Sequence, residues 1–306
     1  MKLVFAGTPE FAVKPLRALC DAGFEIAAVL TQPDRPTGRR GTLTPSPVKV
    51  LATELGIPVL QPEKLKEDFS ALQAVGADGM VTCAYGQLLT QEVLDLFPLG
   101  VWNVHASLLP AYRGAAPIAR AIMDGAHETG VTIMKTDIGM DTGDIFLKEC
   151  VAIEEDDTCG TLTDKLSVLG AKLIVEAMKR VEAGKVEFTK QGEGFNCKKV
   201  ARTEVDFSKS ASEVSRLIRG LSPAPLAFAR IGELTLNFYQ AAVVEGTDAP
   251  FGTVLAATPK KGLIVACGEG AVRLLEVQPA GSKKMTDRDF VNGRKVSEGM
   301  RFEPVL

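Results

Sequence analysis

Over its first 105 residues the chain alternates short apolar runs with stretches of helical periodicity, and this alternation restricts the fold more than any other feature of the sequence. Leu3-Val4-Phe5-Ala6 is closed by Gly7-Thr8-Pro9-Glu10 and followed by a helix-like stretch to Cys20, which Gly23 is placed to end. Glu25 to Leu30 is the next strand. Ser46-Pro47 begins a helix running through Leu55, because a serine hydroxyl can accept from a free first-turn amide and proline has no amide to satisfy. Pro58-Val59-Leu60, Met80 to Ala84 and Val101 to His105 continue the series, with Thr90 as cap of an intervening helix. Strands separated by helices predict a doubly wound, mostly parallel α/β sheet. In such sheets ligands bind beyond the carboxyl ends of the strands.

The second part of the chain has a different character. Thr161-Leu162-Thr163-Asp164 has the pattern of a helix start, and Leu162, Leu166, Leu169, Leu173, Met178 and Val181 follow at helical spacing to a stop near Gly184. From Lys185 to Asp206 the period is lost, which reads as a linker. A short helix from Ala211 to Ile218 follows. Beyond Pro225 come short β-like runs, Leu234 to Tyr239, Gly252 to Leu255, Gly262 to Cys267 and Val272 to Val277, broken by turn residues. A small β-barrel is expected there. The division is therefore residues 1–184, a linker over 185–206, and 207–306. Residues 1–206 carry 22 Lys+Arg against 28 Asp+Glu, and residues 207–306 carry 13 against 10, so the parts are −6 and +3. A mildly basic second part permits contact with a polyanion, although on composition alone solvated surface charge is the favoured reading.

Composition excludes several classes of function. No apolar run approaches the ~20 residues needed to span a bilayer, and Met1-Lys2 leads into a strand without a signal-peptide pattern, so a cytosolic protein without membrane contact is expected. Six cysteines without a C-x-x-C pair, and two histidines, make a poor metal set. No metal is expected, and the thiols read as reduced and mostly buried. The Gly7-Thr8-Pro9 turn lacks the G-x-G-x-x-G spacing of a dinucleotide loop, and no G-x-x-x-x-G-K-[ST] stretch supports an ATP-driven mechanism.

The candidate chemistry lies where the apolar run Val101 to His105 ends. Asn103 and His105 stand two residues apart and aim the same way from a strand. A polar cluster, Asp137-Ile138-Gly139-Met140-Asp141-Thr142-Gly143-Asp144, follows about one helix and one strand later. An amide, an imidazole and a carboxylate suit chemistry in which an acyl carbonyl gains negative charge while an amine loses a proton. Asp141 has an equal alternative, because side-chain turn formation is common in such a Gly-rich loop. Asp144 reads as structural and His127 as a surface residue. Thr31 to Ser46 is too long for an ordinary connection and carries Arg35, Arg39 and Arg40, so it is either a phosphate grip or a solvated loop.

These motifs closely resemble the formyltransferases that use 10-formyltetrahydrofolate. The resemblance covers nearly the whole chain, through Phe5 to Phe11, Thr31 to Pro36, Pro45 to Lys49, Asn103 to Ile118, Glu128 to Ile133 and Asp141 to Asp144. His105 to Pro110 marks the folate enzymes broadly, whereas the loop beginning at Gln32 and the appended β domain point to the branch that formylates initiator Met-tRNA. The resemblance implies a Rossmann-like catalytic domain, an OB-like C-terminal barrel, folate as co-substrate, and a monomer. It also implies a catalytic trio of Asn103, His105 and Asp141. Ser107, Leu108, Leu109 and Pro110 would form the folate signature, Tyr85, Gly86, Gln87 and Leu88 would wall the pterin pocket, and Arg35, Arg39 and Arg40 would meet the tRNA. This chain reads Arg40-Gly41-Thr42 where the family commonly has Gly-Lys-Lys, and Ala111 where a basic residue is usual. Rival readings are a formyltransferase for a small amine, a formyltetrahydrofolate hydrolase, and a nucleic-acid-binding protein without turnover.

Overall fold

The computed structural model describes residues 1–37, 41–246, 248–293 and 295–305. Its first sheet contains β1 Lys2–Gly7, β2 Glu25–Leu30, β3 Val59–Leu60, β4 Gly79–Cys83, β5 Val101–His105, β6 Glu128–Lys135 and β7 Ile145–Ala152, paired in the order β3-β2-β1-β4-β5-β6-β7. The pairs β1/β2, β2/β3, β1/β4 and β4/β5 are parallel, and β6 runs antiparallel to β5. The chain builds outward from β1 to β3 and then restarts at β4 on the other side of β1. That reversal opens a crevice at the carboxyl ends of β1 and β4, where an α/β sheet receives ligands. Leu3 to Ala6 and Met80, Val81 and Cys83 are buried, as expected of strands covered on both faces.

Local signals mark the starts of several helices. Helix Pro47–Glu54 begins where the Ser46 hydroxyl accepts from the Lys49 amide at 3.1 Å. Thr90 precedes helix Gln91–Leu94, yet its hydroxyl makes no cap bond. The long helix is Cys159–Glu182, two residues ahead of the expected start at Thr161. There the Thr158 hydroxyl accepts from the Thr161 amide at 3.2 Å, and the Thr161 hydroxyl accepts from the Thr158 amide at 2.9 Å, so the reciprocal cap lies one turn earlier. Gly7 serves packing, since a β-carbon there would lie 2.8 Å from Ala12 Cβ and 3.0 Å from Cys83 O. No helix among the described residues is long and apolar enough to cross a membrane.

The chain folds into two compact units. The first holds Met1–Pro117, Thr129–Val151 and Thr163–Cys197, and the second Ile118–Glu128, Ala152–Leu162 and Lys198–Leu306. The stretch read as a linker over 185–206 is therefore not a slack tether. Thr189 bridges Ile145, and Asn196–Cys197 pairs with Arg113–Gly114, which fastens the stretch through Cys197 to the first unit. Thr203–Glu204 pairs instead with β8, Ala227–Ile231, in the second. Residues before the long helix also join the second unit, where the Arg219 guanidinium donates to Asp157 O at 2.7 Å and the Gln240 amide to Asp156 O at 2.8 Å.

The second unit carries an antiparallel sheet of β8, β9 Leu234–Val244, β10 Val254–Thr258, β11 Gly262–Ala266 and β12 Ala271–Pro279, in the order β8-β9-β12-β11-β10. Gly232, at φ 55°, makes the tight turn between β8 and β9. Leu236, Phe238, Val272, Leu274 and Phe302 fill its core. Where a closed barrel was expected, the strand pairing among the described residues is an open path. The free edge of β8 is taken by Thr203–Glu204 and by the Glu303 amide, which donates to Arg230 O at 2.8 Å, while Phe302 donates to Gly252 O at 2.9 Å. The helix expected over Ala211 to Ile218 runs Ala211–Gly220 behind a Ser210/Glu213 capping box.

Candidate active site

Every side chain of the candidate site belongs to the first unit. In register, Asn103 faces Thr82 of β4 on one side and Met134 of β6 on the other, and His105 faces Thr132. The Thr82 hydroxyl donates to Asn103 Oδ1 at 3.0 Å, which turns the amide nitrogen toward the Asp141 carboxylate. Nδ2 donates to Asp141 Oδ1 at 3.1 Å. That oxygen is 3.6 Å from His105 Nδ1, and Asp141 Oδ2 accepts from the Gly114 amide at 2.8 Å. Asn103, His105 and Asp141 are thus brought together, with Asp141 at the centre of the group.

The tautomer of His105 follows from its other contact. Nε2 lies 2.9 Å from Tyr112 O, and a carbonyl can only accept, so in the neutral ring Nε2 carries the proton. Nδ1 then presents a lone pair beside Asp141. The residue is 6% exposed, so this face of the ring is sheltered from water.

Two strained turns aim these groups. Tyr112 has φ 57° and Asp141 φ 53°, left-handed values that cost a non-glycine residue about 1–3 kcal/mol each and persist only where the surroundings hold them. Asp137, rather than Asp141, forms the loop's side-chain turn, accepting from Gly139 N at 3.0 Å and Thr142 Oγ1 at 2.8 Å. A β-carbon on Gly143 would collide with Lys135 O, and one on Gly114 would lie 2.8 Å from Cys197 O. Asp144 contributes its carbonyl to Lys135 N, and His127 is exposed.

Most of the residues expected around folate are committed to holding their own segments. Ser107 and Leu109 are fully buried: Ser107 Oγ donates to Ala111 O at 2.6 Å, and Leu109 N donates to Thr132 Oγ1 at 3.1 Å. They hold the turn that presents Leu108 and Pro110, whose Leu109–Pro110 peptide is cis. The Tyr85 ring lies in the core, where burial pushes its phenol up to about 12, and its carbonyl accepts from Thr8 Oγ1 and Gln32 Nε2. The Gln87 side chain is engaged with Leu65 N at 2.8 Å and Pro62 O at 3.0 Å. What this segment leaves free is the Gly86 turn and Leu88, 72% exposed. Beside Asp141, Ile138 and Met140 are 71% and 53% exposed. A cleft of about 500 Å³ lined by Leu30, Gln61, Leu65, Phe69 and Leu72 is not bordered by the trio.

Arg35 is exposed on a hairpin of Arg35–Thr37 with Thr42–Thr44, while Arg39 and Arg40 lie outside the described residues. The base of that loop is tied by the Thr31 and Ser46 hydroxyls at 2.6 Å and by Lys49 Nζ, 2.7 Å from Asp34 Oδ2. The hydrogen bond from Lys49, then that from Gln61, holds the Asp34 carboxyl below its ordinary range. One residue near the site was not anticipated. Gln191, in the supposed linker, donates to the main chain of the Asp141 loop, and no local sequence signal marks it.

Residues 1–178 match the family model described as formyl transferase, and residues 198–295 the formyl transferase C-terminal domain. The methionyl-tRNA formyltransferase of Symbiobacterium thermophilum is 46% identical over 99% of this chain and 96% of its own length, and that of Chromobacterium violaceum 47% identical over 99% of each. Among solved structures, the N-formyltransferase of Helicobacter canadensis, in complex with folinic acid and dTDP-3-aminofucose, shares the fold with a TM-score of 0.67 at 19% identity, over 93% of this chain and all of that one. With both family models accounted for along its length and two such relatives nearly end to end, this chain belongs to the methionyl-tRNA formyltransferase family.

Proposed function

We propose that this protein transfers the formyl group of 10-formyltetrahydrofolate to the α-amino group of methionine on initiator Met-tRNA. The observation that carries this reading is the Asp141 carboxylate standing between the Asn103 amide and the His105 imidazole at the end of β5. The methionine nitrogen attacks the formyl carbon, a C–N bond forms, and the carbonyl oxygen becomes an oxyanion. Asn103 has one Nδ2 hydrogen on Asp141 and a second without a partner among the described residues, and this second hydrogen is the donor available to the oxyanion. His105 Nδ1 takes the proton that the amine loses, and the adjacent Asp141 carboxylate stabilises the resulting imidazolium. The same proton then goes to the folate N10 as the C–N10 bond breaks, leaving tetrahydrofolate and the formylated aminoacyl ester.

The folate fits the free features of the site better than a polar cofactor would. A flat pterin needs apolar cover, and the exposed side chains of Leu88, Ile138 and Met140 are apolar groups available for it. On the tRNA side, Arg35, Arg39 and Arg40 are the residues assigned to the acceptor end, with diffuse basic contacts from the C-terminal domain of residues 207–306. We read that domain as barrel-like and OB-related, supported by the terminal residues that hydrogen-bond to both Gly252 and Arg230. The protein is expected to act as a cytosolic monomer. Transfer of radiolabelled formyl to charged initiator Met-tRNA, beside uncharged tRNA and a control without tRNA, tests the proposal. Label on the aminoacyl end supports it, and folate turnover with no labelled Met-tRNA reassigns the acceptor to water or a small amine.

A further inference from the structure

Gln191 grips the catalytic loop from behind. Its Nε2 donates to Asp141 O at 3.0 Å and to Gly143 O at 2.6 Å, while its Oε1 accepts from Arg113 Nε at 3.0 Å and Nη2 at 2.9 Å. A guanidinium only donates and carbonyls only accept, so the amide can sit in one orientation alone. Arg113 is followed by Gly114, whose amide holds the Asp141 carboxylate at 2.8 Å. One dipeptide and one glutamine therefore fix the same residue at two points, the carboxylate through Gly114 and the left-handed main chain through Gln191.

We propose that Gln191 is a positioning residue for formyl transfer, holding the Asp141 main chain so that its carboxylate stays between Asn103 and His105. The inference rests on the reading of Asp141 given above. Asp141 Oδ1 lies 3.6 Å from His105 Nδ1 and 3.1 Å from Asn103 Nδ2, so a slide of the loop by a fraction of an ångström changes which of the two it serves. Errors of about 1 Å in placing a catalytic group cost on the order of 10²-fold in rate. A glutamine that only stabilised the fold would show its effect whether or not Asp141 keeps its charge.

Gln191→Glu separates the two roles. It keeps the length and an acceptor for Arg113 but turns an oxygen toward two carbonyls. The turnover number, the dissociation constant for 5-formyltetrahydrofolate and the thermal midpoint are measured in the full-length chain, on both wild-type and Asp141→Asn backgrounds. The expected result is a loss in kcat of about 10- to 100-fold with folate affinity within about twofold, shrinking to under about threefold on the Asp141→Asn background. An undiminished loss on that background, or a folded Gln191→Glu with wild-type kcat, overturns the inference. If Gln191→Glu does not fold, Gln191→Leu is carried through the same cycle under the same criteria, and failure of both to fold assigns the residue to stability and overturns it too. Wild-type turnover in Asp141→Asn alone would instead remove the trio reading beneath it.

Discussion

Two loops of the first unit, one after β6 and one after β2, are held in different ways. Asp137 to Asp144 is bonded along its length, by Asp137 to Gly139 and Thr142, by Gly114 to the Asp141 carboxylate, and by Gln191 to Asp141 and Gly143. The Thr31 to Ser46 loop is tied at its base, through Thr31–Ser46 and Asp34–Lys49, and its outer strand Thr42–Thr44 is exposed. Proton transfer and oxyanion stabilisation need atoms placed to a fraction of an ångström. Attraction between guanidinium groups and a phosphate backbone reaches across several ångströms and tolerates movement. Among the described residues, the ties of each loop match what its proposed task requires.

If that contrast is correct, the largest effect comes from the rigid loop's partner. His105→Ala is expected to lower kcat by about 10²- to 10⁴-fold with folate binding retained, read from single-turnover formyl transfer and folate calorimetry. A drop confined to folate affinity would break the contrast. Asn103→Ala should follow, losing about 10²- to 10³-fold in kcat and little folate affinity, whereas equal losses in both would deny it the oxyanion role.

Effects in the other loop should be smaller and of another kind. Arg39→Ala is expected to raise the Michaelis constant for Met-tRNA and to lower the slope of log affinity against log salt by about 1, with turnover of bound substrate nearly intact. An unchanged salt slope would remove the side chain from the RNA interface. The smallest effect should come from Ser46→Ala, which loses both the helix cap and the tie to Thr31. About 1 kcal/mol of stability, seen as a lower denaturant midpoint, should go with a few-fold rise in the tRNA Michaelis constant. A fall in kcat as large as that of Asn103→Ala would show that the base of this loop also sets the chemistry.

Legibility differed between the parts of the site for physical reasons. Asn103 and His105 could be read directly, because a strand's period of two puts them on one face and the end of an apolar run marks the strand's carboxyl end. Asp141 could not be separated from a turn residue by local pattern, and only the hydrogen bonds made by Asp137 free its carboxylate for the trio. Tyr85 and Gln87 were singled out only through the family resemblance, which did not show that the ring would lie in the core or that the amide would be engaged with Leu65 and Pro62. Gln191 was hidden because its partners lie 48 to 78 residues away in a stretch with no periodicity.

Periodicities spanning a few residues were enough to specify the doubly wound sheet, the β-rich second part and the strand end that carries the amide and the imidazole. Folding in three dimensions set that the second unit takes in Ile118–Glu128 and Ala152–Leu162 as well as the residues after Cys197, and which pairings the second sheet makes at its edges. It also set how Asp141 is held. Those outcomes depend on hydrogen bonds between segments far apart in the chain, whose geometry exists only once both are folded.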